Sequence, residues 1–224
     1  MSRVARRTLV TAAAALLPLA AQAHSAVPGI GHFYNGALHP FVVIPHLMAL
    51  IALGLWTGQR GMQAVGGIAA AFGAGLAVGL ALALTTAMPD TDLVVLCGAA
   101  LVGLGVAIAR PLPGWLAGLF TAALGLSIGL GSAPEGLQGA ARWASVAGTA
   151  GGALLAVLWT AAMASLGTAP WVRIVVRVLG SWLTASALLV LALTWVGPRH
   201  DGMSGQTPAG AAASAPSAPA AALR

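Results

Sequence analysis

Long apolar stretches dominate the chain and are separated by short polar or turn-forming segments. Beyond residue 39, six stretches approach the roughly 20 apolar residues that a helix needs to cross a bilayer. The interruptions carry Pro, Gly, Arg or acidic residues, which favour turns and helix ends. The pattern predicts an all-α membrane protein built as a six-span transmembrane helical bundle. We place the spans at 40–57, 64–88, 92–109, 114–132, 145–167 and 174–196, so the transmembrane domain covers 40–196.

The first 23 residues have the three parts of a secretory signal peptide. Three arginines lie within the first seven residues, residues 8–20 are apolar, and Ala-Gln-Ala then forms a small-x-small cleavage site. Cleavage there would make His24 the mature N-terminus, outside the cytoplasm. The alternative is an uncleaved first helix. We expect residues 24–39 to form a short external segment that carries histidines.

The overall composition supports a membrane location. Hydrophobic residues make up 59% of the chain and charged residues only 6%, against about 25% charged in an ordinary soluble domain. The mean hydropathy is +0.93. The basic excess is weak once the N-terminal arginines are set aside, and it indicates no nucleic-acid partner. Residues 197–224 are rich in Ala, Pro, Ser and Gly, which predicts a disordered external tail.

The distribution of charge gives an orientation that does not depend on hydropathy. With six spans, Arg60, Arg110, Arg173 and Arg177 fall in cytoplasmic segments, and all four acidic residues fall outside. This is the positive-inside pattern of membrane proteins. Six spans after a cleaved signal peptide place both mature termini outside the cytoplasm.

Small residues recur at a spacing of four within several spans. Such spacing lets helix backbones approach closely in lipid, and it predicts a compact bundle without specifying which helices pair. The pairs are Gly75 and Gly79, Gly125 and Gly129, and Gly148 and Gly152.

One catalytic pattern occurs in the chain, because residues 125–129 match the G-x-S-x-G motif of serine nucleophiles. A serine nucleophile needs a base within hydrogen-bond reach. Spans two to six contain no His, Lys or Glu, and their one Asp lies at the outer rim of span three. We therefore predict that Ser127 is a helix-packing residue and that the protein is not an enzyme.

Four of the five histidines lie within 23 positions at the start of the apolar region. Neutral imidazole is a good ligand for nickel, zinc and copper, and an ionisable residue within a membrane is a functional candidate. Pro40 suits the first position of a helix, so we expect His39 at the helix entrance and His32 in the preceding loop. Pro45, at the sixth helical position, should kink the first turns and free a carbonyl group.

The spacing of these histidines constrains how they would hold an ion. Seven residues of ideal helix would separate the Cα atoms of His39 and His46 by about 10 Å, which makes direct chelation by this pair difficult. A stepwise relay, or a site completed by His32 or His24, is geometrically easier. The alternative is that these histidines are solvated or interfacial residues, although His46 lies about two turns into the span. The candidate metal ligands are His24, His32, His39 and His46.

Three short stretches resemble the first-span signature of the HupE/UreJ family: Gly-Ala-Leu-His-Pro at 36–40, Pro-His-Leu-Met-Ala at 45–49 and Leu-Gly-Leu-Trp at 53–56. The resemblance implies a six-span protein of the bacterial inner membrane with periplasmic termini. It also implies a nickel permease that serves hydrogenase or urease maturation proteins. His39 and His46 match the two signature histidines. Ni²⁺, or another divalent transition metal, would then be the transported ion, with no tightly bound cofactor.

The chain departs from the family pattern at two places. The family has Asp beside its second histidine, where this chain has Pro45, and the stretch 119–131 lacks the histidine of a further family motif. A divalent cation that crosses lipid needs replacement ligands and compensating charge. The leading prediction is a divalent-metal permease. The alternative is a non-transporting accessory or assembly protein of the same fold that has lost its metal ligands.

Overall fold

The computed structural model describes residues 29–85, 90–110, 112–134, 136–167 and 169–196. Within these ranges the chain forms seven α-helices and no strand. The predicted signal peptide, His24 and the predicted tail lie outside the described residues. The helices are α1 (Gly31–Val42), α2 (Ile44–Gln59), α3 (Met62–Ala83), α4 (Asp92–Ile108), α5 (Gly114–Leu130), α6 (Gly139–Leu166) and α7 (Pro170–Val196).

The lengths of the helices bear on the number of membrane spans. The three helices α3, α6 and α7 are each long and apolar enough to cross a membrane. The pair α1 and α2 passes the same test jointly, but the two helices are bent by 78° at their break. The apolar helices α4 and α5 have 17 residues each. The described residues thus confirm an all-α membrane protein with three or four candidate spans, and the figure of six stays a prediction.

The ends of α3, α4 and α5 follow from local backbone signals. Gly61, with φ of 84°, precedes α3, and Pro113 precedes α5. Ala109 ends α4 in the left-handed conformation, with φ of 56°. Each of these residues lies in or beside a break that the apolar pattern predicts.

The helix α2 forms the centre of the bundle. It packs against α4 and α6 and also touches α3, α5 and α7. Every residue from 48 to 58 except Ile51 is buried. A helix that is apolar on all sides is stable only when other helices surround it, or lipid does. The outer pairs are α3 with α5, α1 with α6, and α4 with α7.

Glycines make the closest contacts between helices, and the structure identifies their partners. A Cβ atom on any of the six glycines at the spacing of four would run into a backbone carbonyl oxygen of the facing helix. These close approaches join α3 to α5 and α1 to α6. The facing carbonyls belong to Ala122 and Leu126 for Gly75 and Gly79, to Phe72 and Leu76 for Gly125 and Gly129, and to Phe33 and Ala37 for Gly148 and Gly152.

Arginine side chains satisfy carbonyl groups at one end of the bundle. Arg177 donates from Nε to the carbonyl oxygen of Ala107, in the last turn of α4, at 2.8 Å. Arg60 donates from Nη2 to the carbonyl oxygen of Leu112 at 3.1 Å. Cationic groups suit the C-terminal ends of helices because carbonyl groups there lack helical donors. Asp92 begins the same helix α4, so its carboxylate lies at the opposite end of the bundle.

Candidate metal site

The first predicted span is broken at Val43. This residue is extended (φ −79°, ψ 106°), and Pro45 lies in the first turn of α2, where a missing N–H group has little cost. The prediction that Pro40 begins the helix is wrong. A sharp bend does lie beside Pro45, as predicted, but it is a break of 78° between two helices rather than a kink at the sixth position of one helix. Pro40 lies inside α1, and Pro45 helps to begin the next helix.

The helix α6 compensates for the proline inside α1. Pro40 has no N–H group for the carbonyl four residues earlier, which is that of Gly36. Thr149 Oγ1 lies 3.1 Å from this Gly36 oxygen and also 3.1 Å from the oxygen of Ser145, one turn before it in α6. A proline does free a carbonyl that a neighbouring helix must satisfy, but the proline is Pro40 rather than Pro45.

The break brings the rings of His39 and His46 together. His39 is in the last turn of α1 and His46 in the first turn of α2. Their ring centroids are 5.9 Å apart, with the ring planes at 65°. Because an imidazole nitrogen lies about 2.1 Å from a bound transition metal, two rings on one ion have centroids from about 4.5 Å apart at a ligand angle of 90° to about 6.4 Å apart at 180°. The expectation that direct chelation by this pair is difficult assumed one continuous helix, and the break at Val43 contradicts that assumption.

His46 has both ring nitrogens available. The residue is 0% exposed, and neither nitrogen has a hydrogen-bond partner among the described residues. Buried polar groups in folded proteins nearly always have a partner. A histidine in this position is therefore suited to contact a ligand or a water molecule.

A cavity of about 630 Å³ opens beside the break. It is lined by Pro45, by Asp90 and Asp92 at the start of α4, and by Thr194 and Trp195 near the end of α7, among others. Asp90 and Asp92 therefore share a cavity with Pro45, which occupies the position of Asp in the HupE/UreJ first-span signature. This cavity places negative charge at the same end of the bundle as the two histidines.

Among the described residues, the remaining candidate His32 does not join this pair. His32 is exposed in the first turn of α1, not in a loop as predicted. Seven helical residues separate it from His39, which corresponds to about 10 Å. Among the described residues, no group of three His, Cys, Asp or Glu side chains could hold a metal ion.

Two residues near His46 were not identified from the sequence. A Cβ atom on Gly131 would lie 3.3 Å from His46 Nε2 and would also contact Thr91 Oγ1. These three residues come from α2, from the position before α4 and from the position after α5. Threonine and glycine are common, and nothing in the linear pattern indicates that these two meet a histidine.

Ser127, the serine of the G-x-S-x-G motif, has a local role. Its hydroxyl donates to the carbonyl oxygen of Ala123, one turn earlier in α5, at 3.0 Å. The flanking Gly125 and Gly129 lie against α3. The motif is thus part of a helix-packing surface.

The fold and this site define a helical membrane protein with a histidine pair at a broken helix. The sequence profile described as "HupE / UreJ protein" matches residues 12–190, which is most of the chain. The protein belongs to the HupE/UreJ family, as its first-span residues indicated. This family comprises membrane accessory and permease proteins rather than enzymes. Comparison with curated proteins and with solved structures gave no match.

Proposed function

We propose that the protein passes a divalent transition-metal ion across the bacterial inner membrane, and that the ion is nickel. The observation that carries the proposal is the pair of imidazoles at the helix break. His39 and His46 have ring centroids 5.9 Å apart, and both nitrogens of His46 are buried and available. Imidazole nitrogen suits nickel, copper and zinc better than magnesium or calcium. Membership of the HupE/UreJ family favours nickel among these ions.

The small number of protein ligands supports transit rather than storage. A site for a transported ion must bind well enough to admit the ion and weakly enough to release it. Structural zinc sites, by comparison, use four protein ligands. At the helix break two imidazoles face each other, and the described residues contain no group of three ligand side chains that could hold a metal ion. Water and backbone oxygens would complete the coordination of an ion held by His39 and His46.

The distribution of charge supports entry at the histidine end. Asp90 and Asp92 line the cavity beside Pro45, and a cleft lined by negative charge raises the local concentration of cations. In the orientation that the positive-inside pattern predicts, this end faces the periplasm. His39 would receive the ion there, and His46 would pass it inward.

The second candidate function is that of a non-transporting accessory or assembly protein of the same fold. It is favoured by Pro45, which replaces the carboxylate of the family signature beside the second histidine. Its partners would be hydrogenase or urease maturation proteins. In that case the histidine pair would bind metal at one end of the bundle without passing it on.

Uptake of radioactive nickel into proteoliposomes separates the two candidates. We expect His46→Gln to abolish uptake and His39→Gln to reduce it strongly, because glutamine keeps the bulk and polarity of histidine but lacks its ring nitrogens. His32→Gln is the matched control, since His32 is exposed and two turns from the pair, and it should keep wild-type uptake. If the wild-type protein takes up no nickel, cobalt, zinc or copper above empty liposomes, the permease proposal is wrong.

A further inference from the structure

Two buried polar atoms from different helices face the same glycine. His46 Nε2 would lie 3.3 Å from a Cβ atom on Gly131, and Thr91 Oγ1 would lie closer still. His46 is 0% and Thr91 7% exposed. Neither Nε2 nor Oγ1 has a hydrogen-bond partner among the described residues. Because Gly131 has no side chain, both atoms can approach its backbone closely, and a Cβ atom there would clash with the Thr91 hydroxyl.

The hydroxyl of Thr91 does not cap the helix α4, although Thr91 precedes its first residue. Thr91 is the N-cap residue of α4, where a threonine usually accepts a hydrogen bond from the first helical turn. No such bond forms, and Asp90 instead accepts from the backbone N–H of Asp92 at 3.0 Å. The neighbouring Ser132 donates its hydroxyl to the carbonyl oxygen four residues earlier, at 2.6 Å. The Thr91 hydroxyl is thus without a hydrogen-bond partner among the described residues and lies near Nε2 of His46.

One water molecule in that space would satisfy both atoms. Buried polar groups without a protein partner are commonly bridged by ordered water, provided that the space is polar and large enough. Nε2 and Oγ1 both lie within 3.3 Å of the point where a Gly131 Cβ atom would be, so they are less than about 6 Å apart and within the span of one bridging water molecule. A metal-binding imidazole usually donates its second ring N–H to such a partner, which fixes its tautomer and orientation.

We propose that Thr91 is a positioning residue for His46 and acts through one water molecule held in front of Gly131. The water accepts the Nε2–H of His46 and donates to Thr91 Oγ1. With its proton held on Nε2, His46 presents a bare Nδ1 lone pair to an ion. The consequence for metal binding rests on the proposed function, whereas the hydrogen-bonded tautomer does not depend on it.

Nitrogen NMR of ¹⁵N-histidine-labelled protein in lipid tests the tautomer without metal. The signals of His46 are assigned by their loss in His46→Gln. We expect the Nε2–H tautomer in the wild type, a mixture of tautomers in Thr91→Val, and recovery in Thr91→Ser. Thr121→Val is the matched control, because Thr121, which is 0% exposed, is a buried threonine whose hydroxyl likewise has no hydrogen-bond partner among the described residues. An Nδ1–H tautomer in the wild type, or an unchanged His46 spectrum in Thr91→Val, overturns the proposal.

Titration of the reconstituted protein with Ni²⁺ tests the consequence for metal binding. Loss of a partner of this kind typically weakens metal binding by about tenfold or more, so Thr91→Val should raise the Kd by that factor. Thr91→Ser should restore the wild-type Kd, and Thr121→Val should leave it unchanged. Equal increases in Thr91→Val and Thr121→Val would show that the hydroxyl acts only in packing, which contradicts the proposal.

A second pair of variants tests the close approach at Gly131. Gly131→Ala puts a methyl group against the Thr91 hydroxyl, which must move away from the water that it shares with His46, so this variant should raise the Kd as Thr91→Val does. Gly118→Ala, within the helix α5 that Gly131 follows, is its control, because a Cβ atom there meets nothing within 4 Å. The double variant Thr91→Val with Gly131→Ala should bind Ni²⁺ no more weakly than the weaker-binding single variant, since both changes remove the same water. Additive effects would contradict the proposal. If the tautomer shifts as expected but the wild type binds no Ni²⁺, the proposed function fails and the positioning role of Thr91 stands.

Discussion

Thr149 Oγ1 lies 3.1 Å from the carbonyl oxygen of Gly36, the acceptor that Pro40 leaves without a helical donor. The two residues are 113 positions apart in the chain. Their hydrogen bond holds α1 against α6 less than one turn before His39. The position of His39 thus depends on a hydroxyl group of α6, which packs against α1 but lies far along the chain.

Thr149→Val should lower the free energy of unfolding by about 1–2 kcal/mol, because the buried Gly36 carbonyl loses its donor. In a Pro40→Ala background, Thr149→Val should lower the free energy of unfolding by clearly less, since the alanine N–H can bond to the Gly36 carbonyl. Reversible unfolding in mixed micelles measures both costs. Thr160→Val is the control within α6, because the Thr160 hydroxyl donates to its own helix at 2.7 Å. Equal costs in the two backgrounds would show that Thr149 does not replace the proline N–H.

Gly75→Ala should destabilise the protein by about 1–3 kcal/mol, because a Cβ atom there meets the Ala122 carbonyl and forces α3 away from α5. Gly67→Ala, on the same helix, meets nothing within 4 Å and should be neutral or slightly stabilising, since alanine favours helix. The same unfolding assay compares the two. A similar cost for both variants would mean that the close approach of α3 and α5 contributes little to stability.

Pro45→Asp should strengthen Ni²⁺ binding, because it places a carboxylate beside His46 and compensates the charge of the ion. Pro45→Asn controls for the loss of the proline ring and for the shape of the new side chain. We expect the Asp variant to bind Ni²⁺ at least about tenfold more tightly than the Asn variant at neutral pH. Titration of both purified variants measures the difference. Equal affinities would indicate that Asp90 and Asp92 already supply the charge, or that no ion binds next to position 45.

If His39 and His46 hold the same ion, their substitutions should not be additive. Once His46→Gln has removed binding, His39→Gln should have little further effect on the Kd for Ni²⁺. The pair His32→Gln and His46→Gln is the comparison, and there the effect of the His32 change should be negligible in both backgrounds. Independent and additive losses for His39 and His46 would support two separate sites and hence a stepwise relay.

The positions of α3 to α7 could be predicted from the sequence because the signals are local. Apolar length sets each helix, and residues such as Gly61 and Pro113 mark its ends. The tight glycine contacts could be expected, but not their partners, because a spacing of four marks a surface without saying which helix covers it. The arrangement of helices decides that question.

The break after α1 could not be predicted in the same way. The sequence suggested that a helix begins at Pro40, whereas Pro40 lies inside α1, where the hydroxyl of Thr149 from α6 reaches the carbonyl that the proline leaves without a donor. His46 could be identified because it lies inside an apolar run. Thr91 and Gly131 could not, because their nearness to His46 arises only where three helix ends meet.

The 17 residues of α4 and of α5 have a consequence for the surrounding lipid. Such helices are about 26 Å long, a few Å less than a typical hydrocarbon core of about 30 Å. If both helices cross the membrane, as the apolar pattern predicts, the lipid that borders them must thin or pull headgroups inward to avoid hydrophobic mismatch. Thr91 and Gly131 lie at the ends of these two helices. The membrane should therefore be thinnest where His46 lies, which shortens the distance that an ion travels through a medium of low dielectric constant.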